Sequence, residues 1–229
     1  MNKISAFLLI FLLVLSPIFS QDDCNPYYLL TEGRTWTTKS YSAKKDKYKG
    51  SQTFKVLSAK QVEGKLIVTV NLVSTDKKDE EVFNKDITFE CVDGVVDMDM
   101  ASMVPAEMLE SFKSMNMKME MDRLSIPQQL EVGQKLDDGS MTMTMEGPVS
   151  MTMGFNIKDR KVESKETVNV PAGDFEAYKI SYITEFTGMG SRETKSVEYI
   201  SEDVGMVRSE SYNKKGELDF YSVLVSYTK

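Results

Sequence analysis

From Pro26 onward the apolar residues of this chain recur at every second position, and that period restricts it to strands with one buried face. Phe54 and Val56 alternate with polar neighbours, Leu66, Val68, Val70 and Leu72 form the next row, and Ile87, Phe89 and Cys91 another. Side chains of a strand point alternately to its two faces, so each row marks one face turned to a core. The gaps between rows carry turn chemistry: 44–50, Glu63-Gly64, 75–80, Asp93-Gly94, Asp138-Gly139 and Pro171-Ala172-Gly173. Asn213-Lys214-Lys215-Gly216 separates two further rows, 207–212 and 218–227, as a hairpin turn would. One segment departs from the rule. After Pro105, residues Met108, Leu109 and Phe112 share a helical face, which predicts a short helix at about 106–115. No Gly/Ser-rich linker or change of composition divides the chain. The expected architecture is mainly β: a single curved antiparallel sheet of about ten to twelve strands, a half-barrel or open barrel, with one short helix. Near the end, Phe175 and Ala177 differ in parity from Tyr178, Ile180 and Tyr182, which predicts a bulge at about 177–178.

The first twenty residues follow another pattern. Lys3 precedes an almost wholly apolar run, 4–15, and Pro17 and the serines around it break that run before Gln21-Asp22-Asp23. This is the order of a secretory signal peptide, too short in its apolar part to span a membrane comfortably. Residues 1–20 are therefore expected to be a signal peptide, with 21–229 as a single β domain and no transmembrane anchor after cleavage. Lipidation of Cys24 is not expected, because acidic residues stand directly before it. The other cysteine is Cys91, and an oxidising compartment favours a Cys24–Cys91 disulfide that staples the mature N-terminus to the core.

Methionine supplies the least ordinary pattern. Thirteen of the sixteen methionines fall between Met98 and Met153, mostly spaced by two. Met98 and Met100 share a parity; so do Met115, Met117, Met119 and Met121; so do Met141, Met143 and Met145; so do Met151 and Met153, which Phe155 and Ile157 continue. Three explanations compete for these residues: a core packed with Met in place of Leu, an adaptable surface for a lipid or other apolar ligand, and soft-metal capture by thioethers. The last is weakest, because rows on a sheet do not converge.

Composition closes several routes. The chain has no histidine, which removes the commonest general base, the Ser-His and Cys-His dyads and the usual zinc ligand. A net charge of -7 opposes a nucleic-acid partner. Carboxylate pairs remain at Asp97/Asp99, Asp137/Asp138 and Glu202/Asp203, but a strand face opposite methionines and two turns are solvated settings that do not separate two pKa values. No phosphate-binding loop or dinucleotide fingerprint is present. No catalytic residue, metal site or cofactor is expected.

Several stretches together resemble the TapB family of exported bacterial proteins, whose domain has no known function. They are Asp23-Cys24-Asn25-Pro26-Tyr27-Tyr28 with Glu32-Gly33, Cys91-Val92-Asp93-Gly94, 97–105, 168–180 and 203–212. Ala177 is a departure, since cysteine or other residues stand there in similar proteins. The resemblance implies a Gram-negative envelope protein, periplasmic, cell-envelope-bound or extracellular, with no established enzymatic activity. It extends, at the level of fold, to the half-barrels of periplasmic lipoprotein carriers, whose concave face receives acyl chains. The expectation is a non-catalytic exported protein that binds or carries an apolar ligand on a Met-rich concave face. Its competitor is a structural or assembly component of the envelope with a closed Met-rich core and protein partners.

Overall fold

The structure, a computed structural model, describes residues 24–28, 30–98, 117–121, 124–145, 151–188, 190–202 and 204–228. The strands are β1 (Thr35–Ser42), β2 (Lys47–Val62), β3 (Lys65–Thr75), β4 (Glu81–Val92), β5 (Val95–Met98), β6 (Met117–Met121), β7 (Ser125–Ile126), β8 (Gly139–Met145), β9 (Met151–Val170), β10 (Gly173–Thr187), β11 (Arg192–Ser201), β12 (Gly205–Tyr212) and β13 (Leu218–Tyr227). Among the described residues the only helical piece is a single 3₁₀ turn, Ala43–Lys45. The short helix expected at about 106–115 lies outside the described residues.

The alternation that defined the strands is the alternation of burial. In β3, Leu66, Val68, Val70 and Leu72 are all buried and their neighbours are not. Two of the expected turns are tight two-residue connections, Glu63-Gly64 between β2 and β3 and Asp93-Gly94 between β4 and β5. Both of their residues take positive φ, 50° and 82° in the first and 50° and 80° in the second. That backbone twists the way flanking strands do, and glycine adopts it without strain.

Among the described residues, thirteen strands join one antiparallel sheet in the order β6-β8-β9-β10-β11-β12-β13-β1-β2-β3-β4-β5-β7. The last strand is central: β13 pairs with β12 on one side and β1 on the other, joining an N-terminal meander to a C-terminal one. The sheet is open, with β6 and β7 at its ends. It also curls. Eight steps of strand order separate β9 from β4, roughly 38 Å if the sheet were flat at ~4.8 Å per step. Yet Phe155 and Ile157 of β9 and Phe89 of β4 line one cavity.

Among the described residues three apolar clusters hold this shape. One joins Leu30 to β2, β3, β4 and β5 around Val56, Val68, Val70 and Ile87. A second gathers Val168, Phe175, Ala177, Val197, Val207 and Leu224. The third packs Tyr27, Ile126, Leu130 and Leu136 on Val162, Ile180 and Ile200. Strands β10 and β11 therefore feed two cores from opposite faces: Ala177 and Val197 enter one, Ile180 and Ile200 the other. This corrects the bulge expected at 177–178. The parity change in β10 is a change of buried face, and the irregular strand is its partner. Lys179 pairs with Ser164 and Ile180 with Val162, so Glu163 of β9 is the extra residue.

The N-terminal segment is locked across the curl. Cys24 forms a disulfide with Cys91, which leaves no Cys24 thiol to carry a lipid. Asn25, fully buried, donates through Nδ2 to the carbonyls of Gly94 (2.6 Å) and Ile126 (3.0 Å) and accepts from the Tyr27 N–H (2.9 Å). Tyr27 crosses to β12, where Gly205 lies under it. A Cβ there would stand 3.1 Å from the Tyr27 carbonyl oxygen, and the φ of 90° also suits glycine. No helix of the described residues is long and apolar enough to cross a membrane.

Candidate functional site

The curl leaves a partly enclosed cavity of about 370 Å³, near the lower end of the ~300–1,000 Å³ usual for small-molecule sites. Its wall is mostly apolar and aromatic. Trp36 and Phe54, register partners on β1 and β2, stack with ring centroids 4.9 Å apart and planes 5° from parallel. Phe89 of β4, with Tyr28 tilted against it at 6.2 Å, continues the wall. Ile126, Phe155, Ile157, Ile200 and Met206 supply the facing side.

Into this apolar surface the fold brings a small polar group. Lys158 and Lys161 of β9 are satisfied by carboxylates, Lys158 by Glu185 and Glu193 and Lys161 by Glu163. Strict alternation would put Arg160 on the face opposite Ile157. A second bulge prevents this: Lys158 pairs with Ile183 but Lys161 with Ser181, so Asp159 and Arg160 together oppose Tyr182. Asp159 takes φ 57°, a conformation aspartate tolerates better than most residues, and the strand resumes with Arg160 turned into the cavity. Arg160 is 4 % exposed. Its Nη1 donates to the carbonyls of Ser125 (3.0 Å) and Asp137 (2.7 Å), tying β9 to β7 and the loop beyond.

Glu198 of β11 faces Arg160 and accepts a 2.7 Å hydrogen bond from the Tyr182 hydroxyl. Burial pulls the Arg160 guanidinium below its ordinary value, and the nearby Glu198 carboxylate acts in the other direction. Burial and the same carboxylate push the Tyr28 and Tyr182 hydroxyls well above the ordinary tyrosine value, so both are neutral donors at physiological pH. The cavity thus has broad apolar walls and one corner where a cation, a carboxylate and two phenols meet. That arrangement suits an amphiphile whose apolar part fills the space and whose head meets the corner.

The candidate methionines occupy other positions. Met117, Met119 and Met121 of β6 stand opposite Met145, Met143 and Met141 of β8, and Met145 and Met143 stand opposite Met151 and Met153 of β9. The register therefore gathers three separate sequence rows into a two-dimensional array at one end of the sheet. Met141, Met143 and Met153 are half-buried there. Met98 closes β5 opposite Phe89, whereas Met100 and Met115 lie outside the described residues. Among the described residues the cavity wall holds one methionine, Met206, which the sequence did not single out. The array and the cavity are nonetheless contiguous: Phe155 and Ile157 continue the strand parity of Met153.

Of the carboxylate pairs, Asp137 contributes its backbone carbonyl to Arg160, and Glu202 lies 4.0 Å from Lys165. Asp99 and Asp203 lie outside the described residues. Among the described residues no group of three or more His, Cys, Asp or Glu is placed to hold a metal ion.

The curled open sheet defines an all-β class with an aromatic-lined cavity on its concave face. Within that class the chain belongs to the DUF3108-like family, which matches residues 31–224. No TapB designation accompanies that match. A Bacteroides fragilis protein described as exported and of YmcC-like fold is 25% identical with a TM-score of 0.67, covering 87% of this chain and 97% of its own. A Parabacteroides distasonis protein described as a lipoprotein shares the fold at 23% identity and a TM-score of 0.70, covering 90% and 100%. No curated protein matches the chain.

Proposed function

We propose that this protein is an exported, non-catalytic binding or carrier protein of a Gram-negative cell envelope, acting in the periplasm or beyond it on an apolar ligand held in the concave cavity. Residues 1–20 serve as the signal peptide and 21–229 as the working domain. The observation that carries this reading is the cavity itself, about 370 Å³ of space walled by Trp36, Phe54, Phe89, Phe155 and Ile157. A folded core would ordinarily close such a space, because apolar walls gain contacts by collapsing on one another. The exported and lipoprotein descriptions of the structural neighbours agree with an envelope setting. The half-buried methionines at 141, 143 and 153 extend the apolar face outward from the cavity, a surface that adjusts to chains of different length.

The test uses N-phenyl-1-naphthylamine, an uncharged apolar fluorophore. Wild-type protein takes it up with a rise in fluorescence, and its binding alters the emission of Trp36, the single tryptophan. Ile157→Trp fills the cavity and is expected to weaken uptake at least about tenfold at unchanged circular dichroism, the order expected when a bulky ring blocks an apolar site. Absence of uptake by wild type overturns the binding function and leaves the structural or assembly role, with envelope proteins as partners.

A further inference from the structure

Arg160 is more elaborate than a structural ion needs to be. Its Nη1 is satisfied by two backbone carbonyls, yet among the described residues Nε and Nη2 have no hydrogen-bond partner. The residue is 4 % exposed and lies on the cavity wall. Neither Nε nor Nη2 is among the fully buried unpartnered atoms, so both donors open onto the cavity, where a ligand or water accepts from them. Glu198 supplies an opposite charge nearby, but the two stand apart by more than the 4.0 Å of an ion pair and Glu198 is engaged by Tyr182. The cavity lining therefore holds one positive and one negative charge, Arg160 and Glu198, while the exposed Asp137 acts on Arg160 from outside it and is screened by solvent.

That charge count selects the head of the ligand. A carboxylate or phosphate head would add a second negative charge beside Glu198, and an amine head a second positive one beside Arg160. Either leaves a buried charge uncompensated. A neutral head with a carbonyl oxygen accepts from Nε or Nη2 and adds no charge. We propose, resting on the apolar-ligand function above, that the cavity takes a single-chain amphiphile with an uncharged acyl ester or amide head, its carbonyl oxygen bound by Arg160. Glu198 then accepts from a hydroxyl or N–H of the same head.

The experiment compares 1-decanoylglycerol with decanoate as displacers of N-phenyl-1-naphthylamine from the full exported chain, followed also through Trp36 emission. The ester is expected to displace the dye at least about tenfold more effectively than the carboxylate, the ratio set by one uncompensated buried charge. Arg160→Met removes the donors but also leaves the Ser125 and Asp137 carbonyls unbound and can fail to fold. The decisive variant is therefore Glu198→Gln, which keeps an acceptor for Tyr182 and removes one charge. In that variant the preference narrows or inverts toward decanoate, because Arg160 is now unbalanced. Equal displacement by the two amphiphiles in the wild type, or an unchanged ratio in Glu198→Gln, overturns the head assignment while dye uptake leaves the apolar cavity intact. Failure of wild type to take up the dye at all overturns the ligand function itself.

Discussion

Replacement of Asn25 by alanine isolates the hydrogen bonds that hold the cavity's N-terminal wall. Asn25 is fully buried and joins three backbone groups of buried residues: the carbonyls of Gly94 and Ile126 and the N–H of Tyr27. Leaving one buried polar group unsatisfied costs about 1–3 kcal/mol, so three of them bracket a loss of roughly 3–9 kcal/mol. Water entering the vacated space recovers part of it, and about 3–4 kcal/mol is expected. For a domain of this size that corresponds to a fall in Tm on the order of 10 °C. The Cys24–Cys91 bond remains and keeps the segment in place, so the change reads hydrogen bonding rather than loss of the strap. Asn25→Asp sharpens the test. Its carboxylate retains the acceptor for Tyr27 but turns an oxygen toward two carbonyl oxygens, which raises its folded pKa above the unfolded value of about 3.9. A raised folded pKa contributes stability below the unfolded pKa and loses it as pH rises, so the Asp variant should fall further below wild type at pH 7 than at pH 4. Thermal melts by circular dichroism at both pH values measure this. An alanine variant within about 2 °C of wild type, or an aspartate deficit indifferent to pH, would refute the reasoning.

Two further outcomes follow from the fold. Reduction, or replacement of both Cys24 and Cys91 by alanine, frees a loop spanning 67 residues and should lower stability by up to about 4 kcal/mol in the chain-entropy picture; coincident urea midpoints with and without the bond would contradict it. Tyr28, Tyr182 and Tyr212 are held above the ordinary tyrosine value, chiefly by burial, and Tyr221 is pushed up to about 12, chiefly by its hydrogen bond to Asp46. Each raised folded pKa means that stability is complete below about pH 10 and declines above it, by up to about 1.4 kcal/mol per pH unit for a buried tyrosine. Absorbance titration should show part of the ten tyrosines ionising only as the protein unfolds, and complete ionisation of the folded protein near pH 10 would disprove it.

The strands were legible wherever one face meets one core. Leu66 to Leu72 shows it, and so do the Glu63-Gly64 and Asp93-Gly94 turns, whose residue types dictate a backbone conformation. The cysteine pairing was legible too, because there was one partner to choose. What periodicity could not carry is a strand that serves two cores. In β10, Ala177 and Ile180 are both buried, on opposite faces, and a sequence read for a single buried face turns that into a bulge. The polar corner was hidden for a related reason. Lys158-Asp159-Arg160-Lys161 has the composition of a solvated face, and only the register slip at Asp159 separates the inward arginine from the outward lysines. Glu198 was masked in the same way, between Val197 and Tyr199, which face the other core. Methionine attracted notice because its spacing is local, whereas the cavity draws single aromatic residues from strands far apart in the chain and leaves no local signature.

The strap that begins at Cys24 has a consequence for timing. Cys24, Asn25, Tyr27 and Tyr28 lie within five positions, so one sulfur–sulfur bond anchors the segment that supplies one wall of the cavity. A chain kept under reducing conditions lacks the bond that anchors the segment carrying Tyr28 against Phe89. Under the binding function proposed above, capture of an apolar ligand would follow oxidation, because an earlier encounter meets an unfinished vessel.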